Sequence, residues 1–164
     1  METKGIVAFA FGVDGKILPN LELAKIASDK AEELKAPVYT QSDIIIIRKG
    51  IEVVYIKEEP DNPPPTLRIA RGAVKWAERQ GITELWVAVA RPHSWRAMRD
   101  MEEAVRETGA QIAVQICEEI YDVPASEWFC PDSTQTRTRS WWRFWPREAV
   151  LQLLPFWIYK RVAS

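Results

Sequence analysis

The chain is short of the residues that metal and nucleotide chemistry most often use. Among 164 residues it has one histidine, His93, and two cysteines, Cys117 and Cys130. That supply is too thin for a zinc site, and the cysteines have neither a metal spacing nor the look of a disulfide framework. Free thiols in a reducing compartment, and with them a cytoplasmic location, are the expectation. The seven glycines form no dinucleotide fingerprint and no phosphate-loop lysine motif. Ser94 lies beside His93 without the flanking glycines of a nucleophile elbow. A net charge of −1 gives no global field that would gather nucleic acid or an acidic membrane, so any basic function has to be local. The longest apolar stretch near the C-terminus, AVLQLLPFWIY, has 11 residues and contains Gln152 and Pro155. Spanning a bilayer takes about 20. The opening METKGIVAFAFGVDGK lacks a long apolar core and a small-residue cleavage pattern, so it reads as a first strand and not as a signal peptide.

What is present alternates. Apolar runs at 5–12, 36–41, 51–59, 84–90 and 110–118 read as strands, the first of them apolar on both faces as a covered parallel strand would be. Between them, helical spacing predicts helices over 21–35, with Asn20 as its N-cap, over 67–81, capped by Thr66 and ended by Gly81, and over 94–109. The segment SDIIIIRKG at 42–50 fits either a strand or one helical turn. Residues 119–139 read as loop, and a Trp-rich C-terminal helix is expected within about 141–162, with Pro146 near its start, since proline favours the first helical turn. The pattern predicts one domain over 1–164. Its class is α/β, a Rossmann-like three-layer sandwich of about five mostly parallel strands with helices on both faces. Such sheets bind ligands beyond the carboxyl ends of their strands, where the strand order switches.

That rule directs attention to three loops. After the fourth strand, VAVARPHSWRAMRD places Arg91, His93 and Arg96 at a helix start, where free amide groups and two guanidiniums suit a phosphate or carboxylate. His93 is the candidate catalytic residue, an acid, base or anion ligand. The plain alternative is a basic turn with His93 packed on Trp95. After the third strand, Glu58 and Thr66 are candidates to orient a ligand, although a threonine at a helix start most often only caps it. After the first strand, Asp14 and Gly15 form a turn with no phosphate-binding glycine pattern, and Asp14 is a candidate ligand-binding residue at the floor of the cleft.

With those loops in view the chain resembles the YdcF-like bacterial family, a domain of unknown function that also includes SanA and ElyC. The resemblance rests on Asp14-Gly15, Thr66 with Ala70, His93-Ser94-Trp95-Arg96-Ala97 and Arg147-Glu148, whose order matches over about residues 5 to 160. The HSWRA piece is the most specific. The chain departs from the pattern in AFAFGVDG, where members have a glycine-rich turn, in Lys25, where they have arginine, and in YTQSD, where they have a serine-glycine turn. The resemblance implies a Rossmann-like fold with a polar cleft at the strand ends and a link to cell-envelope metabolism, with S-adenosylmethionine binding known for one relative. It also adds Arg147, at the start of the last helix, to the candidates that close the cleft rim, paired with Glu148 or with an acid after the third strand.

Eight tryptophans stand out, four of them between Trp141 and Trp157. SWWRFWPRE interleaves them with arginines, which fits packing of the last helix, a lid or homodimer contact, or a peripheral membrane contact through Trp141, Trp142 and Trp145. Nucleic acid is not expected, because no extended basic patch accompanies the aromatics. Two functions from different classes follow. One is a protein that binds or acts on a small anionic metabolite, phosphorylated or nucleotide-like, with no cofactor readable from the motifs. The other is a non-catalytic binding or scaffold protein held at a membrane by its C-terminal segment.

Overall fold

The computed structural model describes residues 3–56 and 65–163, and the side chains of 162 and 163 are left aside. Five strands, β1 (Lys4–Ala8), β2 (Val38–Thr40), β3 (Val53–Tyr55), β4 (Glu84–Ala88) and β5 (Ala113–Ile116), form one sheet in the order β3-β2-β1-β4-β5. Every pairing is parallel. Helices α1 (Leu18–Leu34), α2 (Thr66–Gln80), α3 (Ser94–Thr108), α4 (Trp141–Leu153) and α5 (Phe156–Ala163) complete the fold. This is the α/β sandwich that the alternating pattern predicts. The strands are shorter than their apolar runs, because the runs continue into buried loops such as Phe9 and Phe11.

The central strand explains the layering. Ile6, Val7 and Ala8 of β1 are fully buried, so both faces of the strand are covered. Ile6 and Ala8 face a core shared with Leu23, Ala27, Ile120, Trp128 and Phe144. Val7 faces the other side, among Ala70, Val74, Leu85, Ala97 and Met101 of α2, β4 and α3. A third small cluster, Leu67, Leu151 and Tyr159, packs the C-terminal helices on α2. The last stretch of chain therefore passes from the α1 layer, at Phe144, to the α2–α3 layer, at Tyr159.

Several local expectations are corrected. Asn20 does not cap α1: the helix starts at Leu18 with a proline in its first turn, and Asn20 is fully buried. Its Oδ1 accepts the Phe11 N–H at 2.9 Å and its Nδ2 donates to the Gly12 and Asp14 carbonyls, so it braces the loop after β1. Thr66 is the first residue of α2 and makes no capping bond; Pro65 precedes it. Residues 42–50 are irregular, with Ile44 buried and Ile47 exposed. The 119–139 region contains 3-10 turns at Glu118–Tyr121, Ala125–Trp128 and Thr136–Thr138, and its Ile120 and Trp128 are core residues. α4 begins at Trp141, within the expected 141–162 bounds, and Pro146 sits inside it on the solvent side and not at its start. It ends at Leu153, and a separate helix, α5, begins after Pro155, so the one expected C-terminal helix is two.

Candidate functional site

In this strand order β2 and β4 flank β1, so the chain leaves β1 toward one side and later returns to the other. The crevice where those two directions part lies beyond Ala8 and Ala88, which are register partners. A cavity of about 60 Å³ occupies it. Since a water requires about 10–15 Å³ by this measure, the cavity has room for a few waters or one compact oxyanion.

One wall of the cavity is built by the starts of α2 and α3. Arg96, one turn into α3, spreads its guanidinium over three partners. Nε donates to both Glu148 oxygens at 2.9 and 3.1 Å, Nη1 donates to the Thr66 hydroxyl at 3.0 Å, and Nη2 lies 3.1 Å from Nδ1 of His93. Thr66 Oγ1 in turn lies 3.2 Å from His93 Nε2. These contacts fix the histidine tautomer. A guanidinium only donates, so Nδ1 accepts and the ring proton sits on Nε2, from which it is donated to Thr66. Thr66 then accepts twice, which leaves its own hydroxyl proton as a donor with no acceptor among these four residues.

Burial sets the charges of this wall. It holds the His93 pKa well below the usual histidine value, and the adjacent Arg96 charge lowers it further. His93 is therefore neutral near pH 7, and the 3.9 Å approach of Glu148 to Nδ1 is no ion pair. Burial works against the Arg96 charge, but the Glu148 carboxylate outweighs it and holds the guanidinium above its ordinary value. Glu148 is 2 % exposed and neutralises Arg96 at close range. Behind the wall, Tyr159 of α5 donates its hydroxyl to the fully buried Asp100. Burial raises the Asp100 carboxyl, and burial with the Asp100 charge pushes the Tyr159 phenol up to about 12.

The opposite wall comes from the loops after β1 and β2 and from the 3-10 turn Thr136–Thr138. Gly12 has φ +97, and a Cβ there would stand 2.7 Å from Ser133 Oγ and 2.8 Å from Thr138 Oγ1. Only glycine allows that turn to close on the β1 loop. Gln41 accepts the Ala10 N–H on Oε1 at 2.9 Å, so its amide nitrogen remains for the cavity. Asp43 accepts the Asp14 N–H at 3.1 Å, and burial raises its carboxyl pKa. Gln135, Thr138 and the exposed Arg137 complete the lining.

The sequence candidates thus divide. His93, Arg96 and Thr66 converge on the cavity. Arg91 does not: it is exposed and lies over the Tyr121 ring at 5.8 Å. Asp14 is not at the cavity floor. It turns through φ 91 and its carboxylate accepts the Lys16 N–H, while Asp43 takes the lining position. Arg147 is exposed and absent from the lining, and the partner of Glu148 is Arg96. Glu58 lies outside the described residues. Trp95 is exposed, so His93 is not packed away against it. Of the tryptophans named for an outer contact, Trp141 and Trp142 are exposed, whereas Trp145 is half-buried against Phe144.

Gln41 and Arg137 were missed as site residues, and Glu148, named only as a partner for Arg147, was missed as the partner of Arg96. Glu148 had a readable signal: with Phe144 and Leu151 it falls at i, i+4, i+7, on the inward stripe of α4, and a buried acid has to be paired. Among the described residues no group of three potential metal ligands forms. Cys117 is buried with its thiol pushed up to about 12, and neither cysteine is bridged. No family model and no curated protein matches this chain.

Proposed function

We propose that the chain binds a compact anionic group, a phosphate or carboxylate of a small metabolite, in the crevice beyond β1 and β4. The observation that carries this reading is the set of unspent donors around one small cavity: the Arg137 guanidinium, the Gln41 amide and the Thr66 hydroxyl. Arg96 contributes as a positioned scaffold more than as free charge, because Glu148 already neutralises it. The cavity volume suits the anionic group and not a whole nucleotide, whose remainder would lie outside it.

His93 serves this site as a fixed Nε2–H donor that holds Thr66. A neutral ring with both nitrogens engaged is a poor proton shuttle, so binding without histidine-based catalysis is the favoured form of the function. Kinship with the YdcF-like family, and its link to cell-envelope metabolism, belongs to the same proposal. It is supported by the meeting of three of its motif pieces, Thr66, His93 with Arg96, and Glu148. The test is a thermal-shift series with inorganic phosphate, sugar phosphates, nucleotides and S-adenosylmethionine on the wild type and Arg137→Ala. Stabilisation by phosphate-bearing compounds that is lost in the variant supports the reading. No stabilisation by any of them, or equal stabilisation of both proteins, contradicts it.

A further inference from the structure

The outer surface of α4 is apolar, as its inner one is. Phe144, Glu148 and Leu151 point inward, and at 100° per residue the opposite side carries Trp142, Pro146, Ala149, Val150 and Leu153. That outer stripe follows i, i+4, i+7, i+8, i+11, the spacing of a helix face made to be covered. Yet Trp142 is 73 % exposed and Leu153 84 %, and Trp157 at the start of α5 is 63 % exposed. A soluble helix with one core face has polar residues here; this one has apolar residues on both sides.

The charges say what covers it. From 137 to 161 the chain has six basic residues and one acid, although the whole chain has 22 basic and 23 acidic residues. Lys160 is paired with Glu103 and Glu107 and Arg137 lines the cavity, which leaves Arg139, Arg143, Arg147 and Arg161. The single acid, Glu148, is buried on the inner face and neutralised by Arg96. Arg143 and Arg147 are exposed and flank the apolar stripe on one side, and Arg161 stands over the Trp157 ring at 5.7 Å. A second copy of the chain placed on this face by a two-fold axis would oppose the same arginines to one another. An anionic bilayer surface meets every feature: headgroup phosphates for the arginines, the interfacial region for the tryptophans, and the outer acyl boundary for Val150 and Leu153.

We propose that α4 and the start of α5 form a peripheral docking face for an anionic lipid surface. No described helix is long and apolar enough to cross a membrane, so the contact is in the interface plane. The proposal stands apart from the cavity reading, since the outer stripe shares no residue with the cavity lining.

The full chain is sedimented with vesicles of phosphatidylcholine alone and of phosphatidylcholine mixed with phosphatidylglycerol. Partition onto the mixed vesicles and little onto the neutral ones is expected. Arg143→Gln with Arg147→Gln lowers the mixed-vesicle partition about 25-fold, roughly fivefold per arginine near the surface. Leu153→Ser lowers it independently on the same vesicles, and both variants keep the wild-type thermal midpoint because the altered side chains are exposed. The proposal is overturned by equal partition on both vesicle types, by no partition on either, or by a dimer in solution that Leu153→Ser disperses.

Discussion

The two walls of the crevice are built on opposite principles. The α2–α3 wall is a charge-balanced cluster in which Thr66, His93, Arg96 and Glu148 hold one another, with the histidine neutral and only the Thr66 hydroxyl proton left over. The facing wall is made of loops and retains unspent donors, Gln41 and Arg137, beside a carboxylate, Asp43. Low dielectric makes an unpaired buried charge costly, so the Arg96 charge on this wall has to be neutralised there, as Glu148 does. The facing wall borders the cavity and leaves groups for a ligand. The motif most specific in sequence thus belongs to the wall that shapes the site, while recognition falls mainly to Gln41 and Arg137, which belong to no motif, with the Thr66 hydroxyl beside them.

Removing one charge from the closed wall should have the largest effect. Glu148→Ala leaves the Arg96 charge buried without its partner, and a stability loss of about 3–5 kcal/mol is expected by denaturant titration. Replacing both, as Arg96→Met with Glu148→Leu, should recover much of that loss, which would mark the pair as a matched unit. At the junction of the walls, Gly12→Ala places a Cβ against Ser133 and Thr138 at a positive φ, and about 1–3 kcal/mol should be lost.

A third prediction uses pH. The folded pKa of His93 lies below its unfolded value, so its contribution to stability is complete above about pH 6.5 and is lost as pH falls toward the folded value. Within that window the wild type should lose about 1.4 kcal/mol per pH unit more than His93→Gln. Equal slopes would mean that the histidine is not held neutral. The smallest effect is expected on the open wall. Arg137→Ala should change stability by less than about 0.5 kcal/mol while abolishing phosphate-dependent stabilisation, which separates binding from folding.

The fold was legible because β1 and its neighbours are apolar on both faces, which only a covered parallel sheet requires. The meeting of Thr66 with His93 and Arg96 was legible from topology, since the loops around a switch in strand order flank one crevice. Arg147 and Glu148 were misjudged as a pair because they are sequence neighbours. Adjacent helical residues point about 100° apart, so one faces solvent and the other the core. Pro146 suggested a helix start because proline suits the first turn, but burial of Phe144 extends the helix back to Trp141. Arg137 was beyond reach, as the 3-10 turn that delivers it is held by Ser133, Gln135 and Thr138 through short-range bonds no periodicity marks.

The central claim, that the α2–α3 wall is a closed, neutral cluster, is tested most directly by nitrogen NMR of the imidazole. With a single histidine in the chain the signals need no assignment. The account predicts a neutral ring with its proton on Nε2 at pH 7, unchanged as the pH is lowered past 6.5 until the fold itself is lost. A ring that titrates near or above its ordinary pKa, or one protonated on Nδ1 at neutral pH, would contradict it.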